Sequence, residues 1–156
     1  MKICFLDVDG VLNYAGCKYK LDGIYFVDPK KLELLKQLID RTDAKIVLSS
    51  TWKFGWRDIN KDKINTANAK DFIALRDKCL EYGIEFMDYT PIHSGYRGNE
   101  IDLWLASWQG EAIESFVILD DDDDMEPFMD NLVQTSFADG LQQKHIDTAV
   151  EILNRI

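Results

Sequence analysis

Short apolar runs alternate with amphipathic stretches along this chain. Residues 3–6, 45–48 and 116–119 are strand-length segments rich in consecutive apolar positions. That pattern suits strands buried on both faces of a parallel sheet. Segments 84–87 and 132–135 bring the predicted strands to five, with the first extending to residue 8. A helix is expected over 28–41. Asp28 is its cap, Pro29 fits its first turn, and Leu32, Leu35, Leu38 and Ile39 recur at helical spacing. A second helix over 68–82 turns Phe72, Leu75, Cys79 and Leu80 inward, with Gly83 as its terminal cap. A third carries Ile101, Trp104, Leu105 and Trp108 on one face and stops near Gly110. The last, over 143–155, buries Ile146, Ala149, Val150 and Leu153. Segment 10–27 reads as a loop or small flap with room for a hairpin. Segment 52–66 has no clear period, and 88–98 reads as another loop.

Strands alternating with helices, without a linker or repeat, predict one α/β domain over 1–156, its sheet parallel and its helices on both faces. In such sheets chemistry sits beyond the carboxyl ends of the strands. Asp7 and Asp9 follow the first strand, and Asp120 and Asp121 follow the fourth. If those strands are neighbours, at least three carboxylates converge on one small volume. Like charges so close repel unless protons or a cation offset them. Mg²⁺ is a hard divalent cation that takes oxygen ligands of this kind.

Charge narrows the partners. With 18 basic against 28 acidic residues the formal charge is −10. This balance disfavours an extended non-specific grip on nucleic acid, where phosphate neutralisation supplies much of the affinity. A small basic or metal-loaded pocket for one phosphate remains compatible with it. Cys4, Cys17 and Cys79 have no paired spacing and suit a reducing compartment. No apolar run approaches the roughly 20 residues that span a bilayer, and no signal-peptide pattern is present. The expected location is cytoplasmic, with no membrane and no obligate protein partner indicated.

The motifs D-x-D-G-x-L after strand one, S-S-T-W after strand two, a later arginine, and L-D-D-D after strand four occur in order. Together they resemble the haloacid-dehalogenase-like (HAD) phosphohydrolase superfamily, over nearly the whole chain. The likeness is to its compact, nearly cap-less domains, some of which are fused to RNA-repair enzymes. It implies a three-layer Rossmann-like core with a five-stranded, mainly parallel sheet and a minimal cap. It further implies an Mg²⁺-dependent phosphatase that works through an aspartyl-phosphate. Asp7 then matches the nucleophile and Asp9 the general acid/base. Ser49 matches the hydroxyl that holds the phosphoryl group, with Ser50 beside it as a further phosphate contact or a turn cap. Arg97 matches the basic position, and Lys53 competes with it for the phosphate. Asp120 and Asp121 complete a metal site with Asp7 and the Asp9 backbone carbonyl, and Asp124 is placed to hold a metal-bound water.

The interval 10–27 leaves room only for a small flap, so an open site is expected. By family analogy this suits a phosphate on a large substrate such as a nucleic-acid end. Tyr14, Tyr19, Tyr25, Trp52, Phe54 and Trp56 fall in the two loops nearest the pocket, as do Lys18, Lys20, Lys53, Arg57, Lys61 and Lys63. Those rings either stack on bases or anchor the loops to the core. The alternatives are a small-metabolite phosphatase and a weakly catalytic phosphate-binding or interaction module. Retention of both Asp7 and Asp9 favours activity. No G-x-S-x-G and no G-x-x-x-x-G-K-[ST] occurs, which argues against a serine hydrolase and a P-loop NTPase. His93 and His145 lack metal-ligand spacing. His93 is expected near the pocket and His145 on a helix surface.

Overall fold

Five strands pair in parallel in the order β5-β4-β1-β6-β7: β1 (Lys2–Leu6), β4 (Lys45–Leu48), β5 (Phe86–Tyr89), β6 (Ser115–Asp120) and β7 (Leu132–Gln134). A separate hairpin joins β2 (Lys20–Leu21) to β3 (Ile24–Tyr25). The helices are α1 (Pro29–Thr42), α2 (Lys53–Asn60), α3 (Ala67–Glu81), α4 (Arg97–Ser107) and α5 (Gln143–Leu153). The structure, a computed structural model, describes residues 1–155.

Period-two alternation divides the core. Cys4 and Leu6 of β1, Ile46 and Leu48 of β4, and Val117 and Leu119 of β6 face one side, where α1, α3 and α5 supply Leu35, Leu75 and Ile146. Ile3, Phe5, Val47 and Ile118 face the other side, against Ile101 and Trp104 of α4. The result is the three-layer α/β arrangement that the apolar runs imply.

Three local departures from the sequence pattern have physical causes. Helix α2 lacks a legible period because the residues it buries are Lys53, Gly55 and Asp58. Gly55 lies against the backbone of Asn68, where a Cβ would collide with the Asn68 carbonyl, so a missing side chain makes the α2–α3 contact. Strand β5 begins two residues later than its apolar run and takes in Asp88, whose carboxylate accepts from the Trp104 indole at 2.9 Å. Strand β1 stops at Leu6 because the chain turns after Asp7, with the Leu12 N–H donating to the Val8 carbonyl at 2.8 Å.

In the flap, Asp22 and Gly23 both have positive φ, 48° and 86°. An Asp-Gly pair with these signs is the two-residue turn that matches hairpin twist. At α1, Asp28 accepts from the Lys30 N–H at 2.9 Å and Pro29 opens the helix, as the sequence predicts.

Candidate active site

Strand register builds this site. Leu6 stands opposite Leu48 on one side and Leu119 on the other. The next residues, Asp7, Ser49 and Asp120, therefore leave three adjacent strands side by side. Backbone bonds fix the row: the Asp7 N–H donates to the Leu119 carbonyl at 2.9 Å, and the Ser49 N–H to the Leu6 carbonyl at 2.7 Å. Each lies two positions beyond a residue facing α4 (Phe5, Val47 and Ile118), so alternation assigns all three to the α4 side.

Helix α4 begins with Arg97. Asp124 fastens that end, accepting the Arg97 N–H on Oδ2 at 3.1 Å and the Gly98 N–H on its backbone carbonyl at 2.9 Å. Arg97 Nη1 thereby reaches Asp120 Oδ2 at 2.8 Å and Asp7 Oδ1 at 3.2 Å, and donates to the Ser49 carbonyl at 2.5 Å. Among the described residues, Arg97 Nε and Nη2 make no hydrogen bond. Ser49 Oγ is buried and also has no partner among the described residues. An unpaired buried hydroxyl is costly unless something not yet bound satisfies it.

Asp7, Asp120 and Asp121 each offer a carboxylate oxygen, and these atoms lie within 4.8 Å of one another. Burial, and then Asp120, raise the Asp7 pKa well above the usual carboxylate range, against the lowering pull of Arg97. Burial pushes Asp120 up to about 6, while Arg97 and the Asp122 N–H oppose it. Burial works against the Arg97 cation, but Asp7 and Asp120 outweigh it and raise its pKa. One guanidinium thus leaves negative charge over, and a hard divalent cation suits these three oxygen donors. Gly10 sharpens the fit. Its φ is +83°, and a Cβ there would collide with Asp121 Oδ2. Asp121 approaches the first loop only because residue 10 has no side chain.

Asp9 stands apart from the three-carboxylate group. Its Oδ1 accepts from Asn13 Nδ2 at 2.8 Å and its Oδ2 from Trp52 Nε1 at 3.2 Å. Asn13 is fully buried and also accepts the Gly10 N–H at 3.0 Å, so one side chain holds both the turn and Asp9. Thr135, beyond β7, donates to the Gly10 carbonyl at 2.6 Å. Neither Asn13 nor Thr135 stands out as a site residue in the sequence. An asparagine four residues after an aspartate within a tight turn is the available signal for the first.

The competitor cation Lys53 is placed differently from the sequence expectation. Its ammonium donates to Glu100 Oε1 at 2.8 Å, Thr90 Oγ1 at 3.0 Å and the Pro91 carbonyl at 3.1 Å. All three protons are engaged within the protein, so Arg97, whose Nη1 meets Asp7 and Asp120, is the cation at the carboxylates. The Ser50 Oγ accepts the Trp52 N–H at 3.2 Å, the turn-capping alternative. Asp124 secures α4 through Oδ2 and its backbone carbonyl, while its buried Oδ1 has no partner among the described residues. His93 lends only its backbone N–H here, to Glu100 Oε2 at 2.8 Å. His145 instead closes the first turn of α5, accepting the Gln142 N–H on Nδ1 at 2.9 Å.

Residues 3–146 match the family described as the HAD domain in Swiss Army Knife RNA repair proteins. The chain belongs to that family, and its α/β sheet is a HAD core. Membership supports a phosphohydrolase-type function. No curated protein and no solved structure matches the chain.

Proposed function

We propose that the protein is an Mg²⁺-dependent phosphomonoester hydrolase using Asp7 as nucleophile, with nucleotide or polynucleotide phosphate ends as substrates. The observation that carries this reading is the junction of Arg97 with Asp7 and Asp120 beside the unpartnered Ser49 hydroxyl. Phosphoryl transfer depends on positioning and charge compensation. Arg97 Nε and Nη2 and Ser49 Oγ are donors left free to receive phosphoryl oxygens. An Asp7 carboxylate oxygen attacks phosphorus and the ester P–O bond breaks. The leaving oxygen takes its proton from Asp9. Asp9 then removes a proton from water, whose oxygen attacks the same phosphorus, and the bond to Asp7 breaks to release phosphate.

Asp7, Asp120 and Asp121 would hold the Mg²⁺ with the Asp9 backbone carbonyl, and the bound cation would supply electrostatic compensation for the phosphoryl charge. Asn13 and Trp52 hold the Asp9 carboxylate at the turn after β1. The small β2–β3 flap leaves access for a large substrate. The nucleic-acid preference draws on that access and on the RNA-repair context of the family.

The test is phosphate release from aryl phosphate, mononucleotides, sugar phosphates and end-phosphorylated oligonucleotides, with and without Mg²⁺. Turnover that requires the cation and favours an oligonucleotide end supports the reading. Folded, Mg²⁺-binding protein that releases phosphate from none of them counts against it.

A further inference from the structure

A cleft of about 760 Å³ opens between the β2–β3 hairpin and helices α2 and α3, with Asp9 in its wall. This volume falls in the range of small-molecule sites. Its aromatic lining comes from separate elements: Tyr25 from the hairpin, Trp52 and Phe54 from the start of α2, and Phe137 from the loop after β7. The rings brace one another. Tyr25 and Phe137 meet edge to face at 6.0 Å, and Trp52 packs against Phe26 at 6.3 Å. Phe137 is nonetheless 42% exposed, unusual for a ring whose role is only to fill a core.

One wall is polar. Asn68 and Asp71 lie three residues apart on α3, hence on one face, and both line the cleft. Among the described residues their side chains make no hydrogen bond. Among the described residues of the lining Lys20 is the only cation, with its ammonium 3.9 Å from the Tyr25 ring centre. Asp9 and Asp71 outnumber it. A run of phosphates would therefore be repelled, whereas a flat, neutral group with polar edges would meet rings on its faces and amide and carboxylate groups at its rim.

Location specifies the occupant further. Asp9 belongs both to this cleft and to the proposed proton transfer, so the group beyond the leaving oxygen must extend this way. We propose that the cleft is a nucleobase subsite, which receives the terminal base of a nucleoside phosphomonoester by stacking and reads its N–H edge through Asn68 and Asp71. This rests on the hydrolase reading for its orientation, although not for its ligand chemistry. Stacking on aromatic side chains is tolerant of base identity, and the rim adds a preference for bases with hydrogen-bond donors.

The experiment compares wild type with Phe54→Leu and Phe137→Leu, which keep apolar bulk and remove the ring. Substrates are a mononucleotide, an end-phosphorylated oligonucleotide and glycerol phosphate. Adenosine serves as a phosphate-free probe, followed by NMR at the Trp52 indole. The expected result is a kcat/KM ratio of nucleotide to glycerol phosphate that falls about tenfold or more in each variant, the scale of one lost stack. The substrate carrying that fall distinguishes a free nucleotide from a chain end as the source of the base. Adenosine should shift the Trp52 indole in wild type and lose affinity in the variants. An unchanged ratio, or no shift at saturating adenosine, overturns the subsite. If no substrate turns over, the hydrolase reading fails while the adenosine arm still decides this one: binding that weakens in the variants upholds the subsite, and its absence refutes it.

Discussion

Lys53 and Glu100 form a buried ion pair, 2.8 Å long and with both side chains at most 5% exposed, between the first residue of α2 and the first turn of α4. Lys53 follows the serine-bearing loop directly, and Glu100 lies three residues after Arg97. The pair therefore clamps the two segments that bring Ser49 and Arg97 to Asp7. Burial lowers the Lys53 pKa, with Glu100 opposing that shift.

Removal of one partner leaves an uncompensated charge in the interior. Glu100→Ala is expected to lower stability by about 3–5 kcal/mol, measured by denaturant unfolding. Lys53→Met with Glu100→Leu should recover most of that stability. It should still reduce kcat, because the clamp on Arg97 is gone. Full activity in the stable double variant would show that the pair has no positioning role.

Mg²⁺ at the proposed site would compete with protons for Asp7 and Asp120. Asp7 and Asp120 have raised folded-state pKa values, Asp120 at about 6. In metal-free protein their stabilising contribution is fully present below the ordinary value of about 4 and is lost as pH rises through about 6 and beyond. Mg²⁺ binds the deprotonated forms. Saturating Mg²⁺ should accordingly raise Tm much more at pH ~8 than at pH ~5, as followed by calorimetry. A gain independent of pH would contradict the carboxylate site.

Gly10 combines a positive φ with close approach of Asp121. Gly10→Ala is expected to cost about 1–2 kcal/mol from the backbone alone, and to weaken Mg²⁺ binding further by displacing Asp121. Isothermal titration with Mg²⁺ on the folded variant separates the two effects.

The Trp52 indole N–H and the Asn13 amide both hold Asp9. Trp52→Phe keeps the ring packing and removes one tether. The expected loss in kcat is about tenfold for an alkyl phosphate and smaller for an aryl phosphate, whose leaving group needs less protonation. Equal losses on both substrates would mean that Asp9 does not act on the leaving group.

Most of the fold is legible in the chain because buried parallel strands are written as consecutive apolar residues. Residues 3–6, 45–48 and 116–119 carry that pattern, and β1, β4 and β6 cover them. The aspartates are conspicuous for the same reason, as charges abutting an apolar run. Helix α2 was hidden because a lysine, a glycine and an aspartate are the residues it buries. The fate of Lys53 was likewise beyond the sequence. Its partner Glu100 is 47 residues away and meets it only through folding. Sequence proximity to Ser49 made Lys53 a phosphate candidate, whereas tertiary pairing engages its three protons elsewhere. Asn13 was obscured by size: a short amide in a turn has many structural uses, and only the folded turn places it against Asp9.

Asp7 as nucleophile is tested most sharply by acid-quenched mass spectrometry of the protein during turnover of an end-phosphorylated oligonucleotide with Mg²⁺, beside Asp7→Asn. The expected result is one phosphoryl group on the wild-type peptide carrying Asp7, none on the variant, and loss of phosphate release with it. Sustained turnover by the folded Asp7→Asn protein would contradict the assignment of Asp7 as nucleophile.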